Sequence, residues 1–244
     1  MKAMAYKRIS VLTETGAADP KSYIAAGDLC TVGARTLAGL WPVTYPTSKG
    51  GKTRWVRELR GLLVNQNDFA SIPYPAKGYE RATVKSGGCG VCAAVMAVGA
   101  ACGVSVSVRG MAQYAQSWGA RVPGGTDMRR LTDRLCATFP LHCTTTSSIG
   151  ALRAHLAAGG VAICNVAGRG MFSTGGHYMT VLGELDGKLI IADPGLYAGK
   201  YATPYRRKSV TVSGELLLAS PEVLDGDCTG RWPRYYLLKG AGSK

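Results

Sequence analysis

From Cys89 to Cys102 the chain reads Cys-Gly-Val-Cys-Ala-Ala-Val-Met-Ala-Val-Gly-Ala-Ala-Cys, without one charged residue. A stretch apolar on every side predicts a helix buried all round rather than on one stripe. Gly110 to Gly119 reads as a short amphipathic helix. Thr126-Asp127-Met128-Arg129-Arg130-Leu131 opens another, with Thr126 as its N-cap. Ser147-Ser148-Ile149-Gly150-Ala151-Leu152 opens a fourth, which closes at Gly159-Gly160. After these the pattern changes. Val161 to Val166 is apolar and β-rich, and Tyr178 to Gly183 alternates weakly. Asp186-Gly187 is a hairpin turn signal, followed by a return strand, Lys188 to Ala192. Ser209 to Leu218 and Arg234 to Lys239 complete the strands. Helices first and strands afterwards predict an α+β domain over residues 63–244.

Residues 1–62 have a different texture. Lys7 to Thr13 alternates loosely and ends near the turn Gly16-Ala17-Ala18-Asp19-Pro20. Leu29-Cys30-Thr31-Val32 follows Ala26-Gly27-Asp28. Trp41 to Pro46 is separated from Thr53 to Arg57 by Lys49-Gly50-Gly51-Lys52. Short strands divided by Gly and Pro turns predict a small all-β barrel. No internal repeat or low-complexity tract is visible.

Composition narrows the classes. Of 244 residues, 46% are hydrophobic and 18% charged, which is globular and excludes a disordered chain. Lys and Arg outnumber Asp and Glu by 29 to 15, a net charge of +14. Such a chain suits a polyanionic partner: nucleic acid, an anionic membrane or an acidic cell wall. The excess is shared: residues 1–62 carry ten basic and four acidic side chains, and the remainder nineteen and eleven. Met1 to Lys7 has no apolar core before a cleavage site, so the expectation is a product made in the cytoplasm without a signal peptide. Cys89 to Val108 is the strongest candidate for a membrane segment, and it reads better as a buried helix and its exit. The eight cysteines then belong to a reduced protein, several of them as small buried hydrophobes.

The chemistry starts at Ser86-Gly87-Gly88-Cys89-Gly90. Glycines let the backbone turn tightly beside one thiol, which opens the buried helix. The positive end of a helix lowers a thiol pKa and favours the thiolate. Downstream come Gly175-Gly176-His177-Tyr178 and Ala192-Asp193-Pro194-Gly195. Cysteine, histidine and aspartate in this order form the layout of a cysteine hydrolase. His142 and His155 lack the glycine frame and read as helical or loop surface positions. Asp193 alone could be no more than a turn-forming Asp-Pro. Cys89 and Cys92 also form a CxxC pair, but no thioredoxin-like strand precedes it. A zinc site would need two further ligands, and Cys136, Cys143 or His142 lie at no standard spacing. Cys92 is expected to pack beneath Cys89. Tyr197 to Lys208 interleaves three tyrosines with Lys200, Arg206, Arg207 and Lys208. It reads as a solvated hairpin, or as a polyanion-binding edge flanking a substrate groove.

Four motifs carry a family resemblance. Gln66-Asn67-Asp68, Gly88-Cys89-Gly90 with Ala93-Ala94-Val95-Met96, Gly176-His177-Tyr178-Met179, and Ile190-Ile191-Ala192-Asp193-Pro194 occur in the order found in the bacteriocin-processing (double-glycine leader) branch of the papain-like cysteine peptidases. Val91 stands where that family usually has proline, and Gln66 lies 23 residues before Cys89, an unusually long separation. The resemblance implies a papain-like catalytic domain with four roles. Cys89 attacks a carbonyl, His177 moves the proton, Asp193 orients the imidazole, and Gln66 with the Cys89 backbone N–H stabilises the oxyanion. Gln66 could also be an ordinary loop residue.

The N-terminal segment resembles a bacterial SH3-like wall-binding domain through Tyr23-Ile24-Ala25-Ala26-Gly27-Asp28, Val43-Thr44-Tyr45-Pro46 and Gly51-Lys52-Thr53-Arg54-Trp55-Val56. That family's opening Arg-Ser-Gly-Pro is missing, and a purely structural barrel is the plainer reading. Together the two resemblances imply an endolysin-like peptidoglycan hydrolase of phage type, released from the cytoplasm to the bacterial wall. It would cleave an amide in the stem peptide, the cross-bridge or the muramoyl-L-Ala link. Peptidoglycan and anionic wall polymers would be its partners, with no nucleic acid, membrane, cofactor or metal. The alternatives are a leader-processing peptidase and a non-enzymatic polyanion-binding or phage structural protein.

Overall fold

The computed structural model describes residues 1–59 and 61–242. The chain begins with six strands: β1 (Lys2–Met4), β2 (Ile9–Leu12), β3 (Ala18–Ile24), β4 (Leu29–Val32), β5 (Trp41–Thr47) and β6 (Gly50–Val56). They form one sheet in the order β1-β4-β5-β6-β2-β3, every pair antiparallel. Its edges, β1 and β3, are not paired with each other, so the described strands form an open sheet and not a closed barrel. Closure needs a pairing between distant segments, which no local pattern specifies. Trp41, Val43 and Tyr45 alternate inward on β5 and join Cys30 and Val32 of β4 in one core.

A 3-10 turn, Gln66–Asp68, leads to α1 (Val84–Gly87) and α2 (Cys89–Cys102). Then come α3 (Val108–Ser117), β7 (Arg121–Val122), β8 (Gly125–Thr126), α4 (Met128–Thr138), β9 (Leu141–Thr146) and α5 (Ile149–Ala157). The chain continues through β10 (Val161–Val166), β11 (His177–Leu185), β12 (Lys188–Ala192), α6 (Pro204–Arg207), β13 (Val210–Ser213), β14 (Leu216–Ala219), α7 (Pro221–Cys228) and β15 (Tyr235–Gly240). Seven of these strands build an antiparallel sheet in the order β13-β14-β12-β11-β10-β15-β9. The structure is thus a mixed α/β protein with antiparallel sheets and seven α-helices among the described residues.

Helix α2 explains the architecture. A helix without a polar face must be covered on all sides. One side meets β10, β11 and β15 of the large sheet, another meets α3, and a third meets the N-terminal sheet. The approach of that sheet is close. A Cβ at Gly99 would lie 2.7 Å from both Met4 Cβ and the Tyr6 hydroxyl oxygen. Tyr6 donates to the Val95 carbonyl at 2.9 Å. Helices α5 and α7 cover the other face of the large sheet. Strand β10 lies between, with all six residues buried. Val161 and Ile163 face the α2 core, and Ala162, Cys164 and Val166 face the α5–α7 core. Two covered faces turn an alternating strand into a continuous apolar run.

The helix of residues 89–102, the strands of residues 161–166 and 188–192, and the Asp186-Gly187 hairpin stand as the pattern indicates. Asp186 and Gly187 take φ of +49° and +73°, as a two-residue hairpin of this twist requires. Four features depart from it. Strand β9 falls within the helical half and pairs with β15 at the sheet edge; only Leu141 of its six residues is buried, so its sequence is nearly all polar. Thr126 ends β8, and Asp127 caps α4 by accepting from the Arg130 backbone N–H at 3.0 Å. The single strand expected over residues 209–218 is the hairpin β13–β14, turning at Gly214 with φ of +61°. Helices α6 and α7 were not anticipated, although α7 carries Ser220 at its N-cap and Pro221 at its first position. No helix of the described residues is long and apolar enough to cross a membrane.

Candidate active site

Cys89 is the first residue of α2, and two glycines explain how it gets there. Helix α1 ends two residues earlier, at Gly87, and Gly88 joins the two helices. Its N–H donates to the Val84 carbonyl at 2.8 Å, while its own carbonyl accepts from Cys92 at 2.9 Å. A Cβ on Gly88 would lie 2.6 Å from the Val84 carbonyl oxygen and from Val84 Cγ1. One on Gly90 would lie 2.8 Å from Thr126 Cβ. The glycine frame is therefore a matter of close approach, and both contacts fix where the thiol sits. Gly88→Ala is expected to lower stability by about 1–3 kcal/mol, as overpacking does, and to slow thiol alkylation; urea denaturation and an alkylation rate check both.

Three partners converge on this thiol. Burial pushes the Cys89 pKa up, but the His177 charge, a hydrogen bond from His177 and the backbone N–H groups of Tyr178 and Gly90 outweigh it, and the net direction is down. His177 opens β11 and is 9% exposed. Its Nε2 donates to Asp193 Oδ1 at 2.7 Å, which leaves Nδ1 for Cys89. Burial lowers the imidazole pKa, but the Cys89 thiolate and the Asp193 carboxylate raise it to about 9. Chemically, a thiolate held beside an imidazolium is equipped for acyl transfer: one group attacks and the other holds the proton a leaving group needs.

Asp193 directly follows β12, whose Ala192 pairs with Thr180 of β11. The hairpin thereby carries Asp193 alongside His177. Four donors surround its carboxylate. Oδ1 accepts from His177 and from the Gly195 N–H at 2.8 Å, and Oδ2 accepts from Lys200 Nζ at 2.6 Å and the Tyr201 hydroxyl at 2.7 Å. Burial works against the charge, yet His177 and Lys200 hold the carboxyl well below the usual range. A Cβ on Gly195 would press on the imidazole, 3.1 Å from Cε1.

Lys200 and Tyr201 correct the reading of residues 197–208. That run is a loop entering α6, not a hairpin, and its middle is buried: Lys200 is 8% exposed and Tyr201 is buried beside it. Tyr197 and Tyr205 do face solvent. Arg206 braces the loop by donating to the Lys200 carbonyl at 2.5 Å and the Gly170 carbonyl at 2.9 Å. Beyond Lys200 lies a cavity of about 760 Å³ reaching Glu58, Asp68, Arg207 and Glu215, away from the thiol. The only sequence signal for the Asp193 clamp was the nearness of Lys200 and Tyr201 to Asp193-Pro194.

Gln66 lies in the 3-10 turn. Its backbone N–H donates to the Pro194 carbonyl at 2.7 Å, and its Nε2 donates to the Lys85 carbonyl of α1 at 2.8 Å. The carboxamide is thus held at the helix leading into Cys89. Its Oε1 is buried without a partner. No hydrogen bond joins Gln66 to Cys89 or His177 among the described residues. The long segment before Cys89 is folded: Tyr74 is buried, with its hydroxyl 2.8 Å from Thr126 Oγ1 and its carbonyl accepting from Arg121 at 2.8 Å.

The other candidates fall elsewhere. Cys92 is buried beneath Cys89, and burial pushes its thiol well up. His142 lies on edge strand β9. His155 is half-buried and not a surface residue: its Nε2 lies 3.1 Å from the Val161 carbonyl and 2.9 Å from the Leu238 carbonyl. All eight cysteines are free, and no three His, Cys, Asp or Glu side chains among the described residues are grouped to hold a metal ion. Comparison with protein families, curated proteins and solved structures finds no match to this chain.

Proposed function

We propose that the protein is a papain-like cysteine hydrolase acting on bacterial peptidoglycan, an endolysin-like enzyme that works at the wall after release. The observation that carries the reaction type is the thiol at the N-terminus of α2, coupled to an imidazole whose far nitrogen donates to Asp193 at 2.7 Å. The Cys89 thiolate attacks an amide carbonyl and forms a tetrahedral oxyanion. The Cys89 N–H and the Gln66 side-chain amide stabilise that charge, a contribution worth about 3 kcal/mol per donor. His177 gives its proton to the leaving amine, then draws one from water to release the acyl group from Cys89. Asp193 keeps the imidazole in the tautomer this exchange needs. Residues 63–244 form the catalytic domain in this reading, with no cofactor or metal ion.

The wall as substrate rests on charge and on the N-terminal sheet. Residues 1–62 carry a net +6 and the SH3-like motifs, and the whole chain carries +14. Anionic wall polymers would concentrate such a protein at its substrate. The test is mass spectrometry of purified cell walls after digestion. The intact protein is expected to release fragments with one new amine and one new carboxyl. Cys89→Ala is expected to release none while still sedimenting with the walls. Fragments from the Cys89→Ala protein would refute the mechanism. Absence of fragments from both, with cleavage of a double-glycine leader peptide by the intact protein, would redirect the reading to a processing peptidase.

A further inference from the structure

The loop from α7 to β15, residues 229–234, lies across the ends of β10 and β11 beside His177. It is tied to β10 at several points. The Arg234 carbonyl accepts from the Asn165 N–H at 2.9 Å, and Arg231 Nε donates to the Val166 carbonyl at 3.3 Å. Val166 is the cross-strand partner of His177. Arg231 is thereby anchored through Nε, which leaves both terminal nitrogens of its fork for something else.

The start of β11 shows what the fork lies against. Thr180 donates to the Ala93 carbonyl of α2 at 3.0 Å, and Tyr178 packs in the same core as α2. Gly176 lies just before β11 and directly precedes His177. The Arg231 guanidinium fills the space a side chain at Gly176 would occupy. It therefore stands next to the histidine that serves the thiol. Consistently, Cys89 and Arg231 act in opposite directions on the Tyr178 phenol, which burial pushes up.

The charges around it leave the fork unmatched. Arg54, Arg153 and Arg234 each hold a carboxylate within 2.7 Å. Among the described residues no carboxylate lies within 4.0 Å of Arg231. Asp127 also faces Tyr178, but it is occupied at the cap of α4 by the Arg130 N–H. Arg129 adds a positive charge near Tyr236. Beside Arg231, Trp232 is 80% exposed and offers a bare ring face.

We infer that Arg231 is a specificity residue that binds a carboxylate of the substrate beside the scissile amide, with the Trp232 ring as the adjoining apolar wall. A planar guanidinium pinned at one nitrogen presents the geometry that carboxylates take bidentately. This rests on the hydrolase reading and narrows its substrate to an acidic peptide, as a wall stem peptide with free carboxyl groups is.

The test uses two thiol reagents of nearly equal size. Iodoacetate carries a carboxylate and iodoacetamide does not. Their alkylation rates at Cys89 are read by mass spectrometry of its own peptide in the intact protein, Arg231→Met and Arg231→Lys. The iodoacetate-to-iodoacetamide ratio is expected to fall roughly tenfold in Arg231→Met, the order of one charge-assisted pair. The iodoacetamide rate should stay within about twofold, and Arg231→Lys should recover only part of the ratio, because it keeps the charge but not the planar fork. An unchanged ratio in Arg231→Met, or an equal fall with both reagents, overturns the inference. Neither reagent is a wall fragment, so the ratio is read whether or not walls are cleaved. Failure of the hydrolase reading would appear separately, as a Cys89 no more reactive towards iodoacetamide than an ordinary thiol.

Discussion

Under the proposed hydrolase function, His177→Ala is expected to lower fragment release from purified walls by at least about 10³-fold, a loss within the range of general acid–base contributions. Two effects act together. The leaving amine loses its proton donor, and the thiol loses the partner that offsets its burial. The backbone N–H groups of Tyr178 and Gly90 remain, but burial is the largest influence on Cys89 and acts upward. The variant should fold, because removing the imidazole leaves Asp193 three other donors, Gly195, Lys200 and Tyr201. Fragment release per hour from purified walls gives the rate, and circular dichroism gives the fold. A variant with activity within tenfold of the intact protein would deny His177 its role.

Asp193→Ala is expected to cost more in stability than in any single contact, about 3–5 kcal/mol, because it strands a buried cation. Lys200 Nζ would keep only the Gly195 carbonyl at 3.2 Å. Adding Lys200→Met to Asp193→Ala should recover most of the loss, since the double variant buries no charge there. Urea denaturation of the intact protein, Asp193→Ala and the double variant measures all three. The pH dependence has a definite sign. The folded-state pKa of Asp193 lies below its unfolded value of about 3.9. Its stabilisation is therefore fully present above that value and is lost as pH falls below it towards the folded pKa. The gap between the intact protein and Asp193→Ala should be wide at neutral pH and shrink as pH drops below about 4. A double variant no more stable than the single one would mean that Lys200 is not held there for Asp193.

What was legible in the sequence depended on range. Helix α2 was readable because an uncharged run can be stable only where every side is covered. Cys89, His177 and Asp193 were readable because close approach and tight turning leave glycine and proline beside them, at Gly88, Gly90, Gly176, Pro194 and Gly195. Lys200 and Tyr201 were hidden because a run of tyrosines and cations has the composition of a solvated surface; only the fold brings its middle under Asp193. Arg231 was hidden for another reason. Its place next to His177 follows from the pairing of Val166 with His177, and pairing between distant strands leaves no local mark. The same holds for the N-terminal strands, whose individual alternation was visible and whose open order was not. Strand β9 escaped because an edge strand burying one leucine has almost no apolar signature.

The most direct test of the thiolate–imidazolium pair is the pH profile of Cys89 alkylation by iodoacetamide, read on its own peptide so that the other seven cysteines do not contribute. His177 titrates at about 9 in the folded protein, so the pair persists from neutral pH until the imidazolium is lost as pH rises through that value. The expected rate at pH 7 lies within a few-fold of that at pH 9, and His177→Ala should abolish this plateau. A Cys89 rate in the intact protein that climbs about tenfold per pH unit towards the ordinary thiol pKa of about 8.5 would contradict the mechanism.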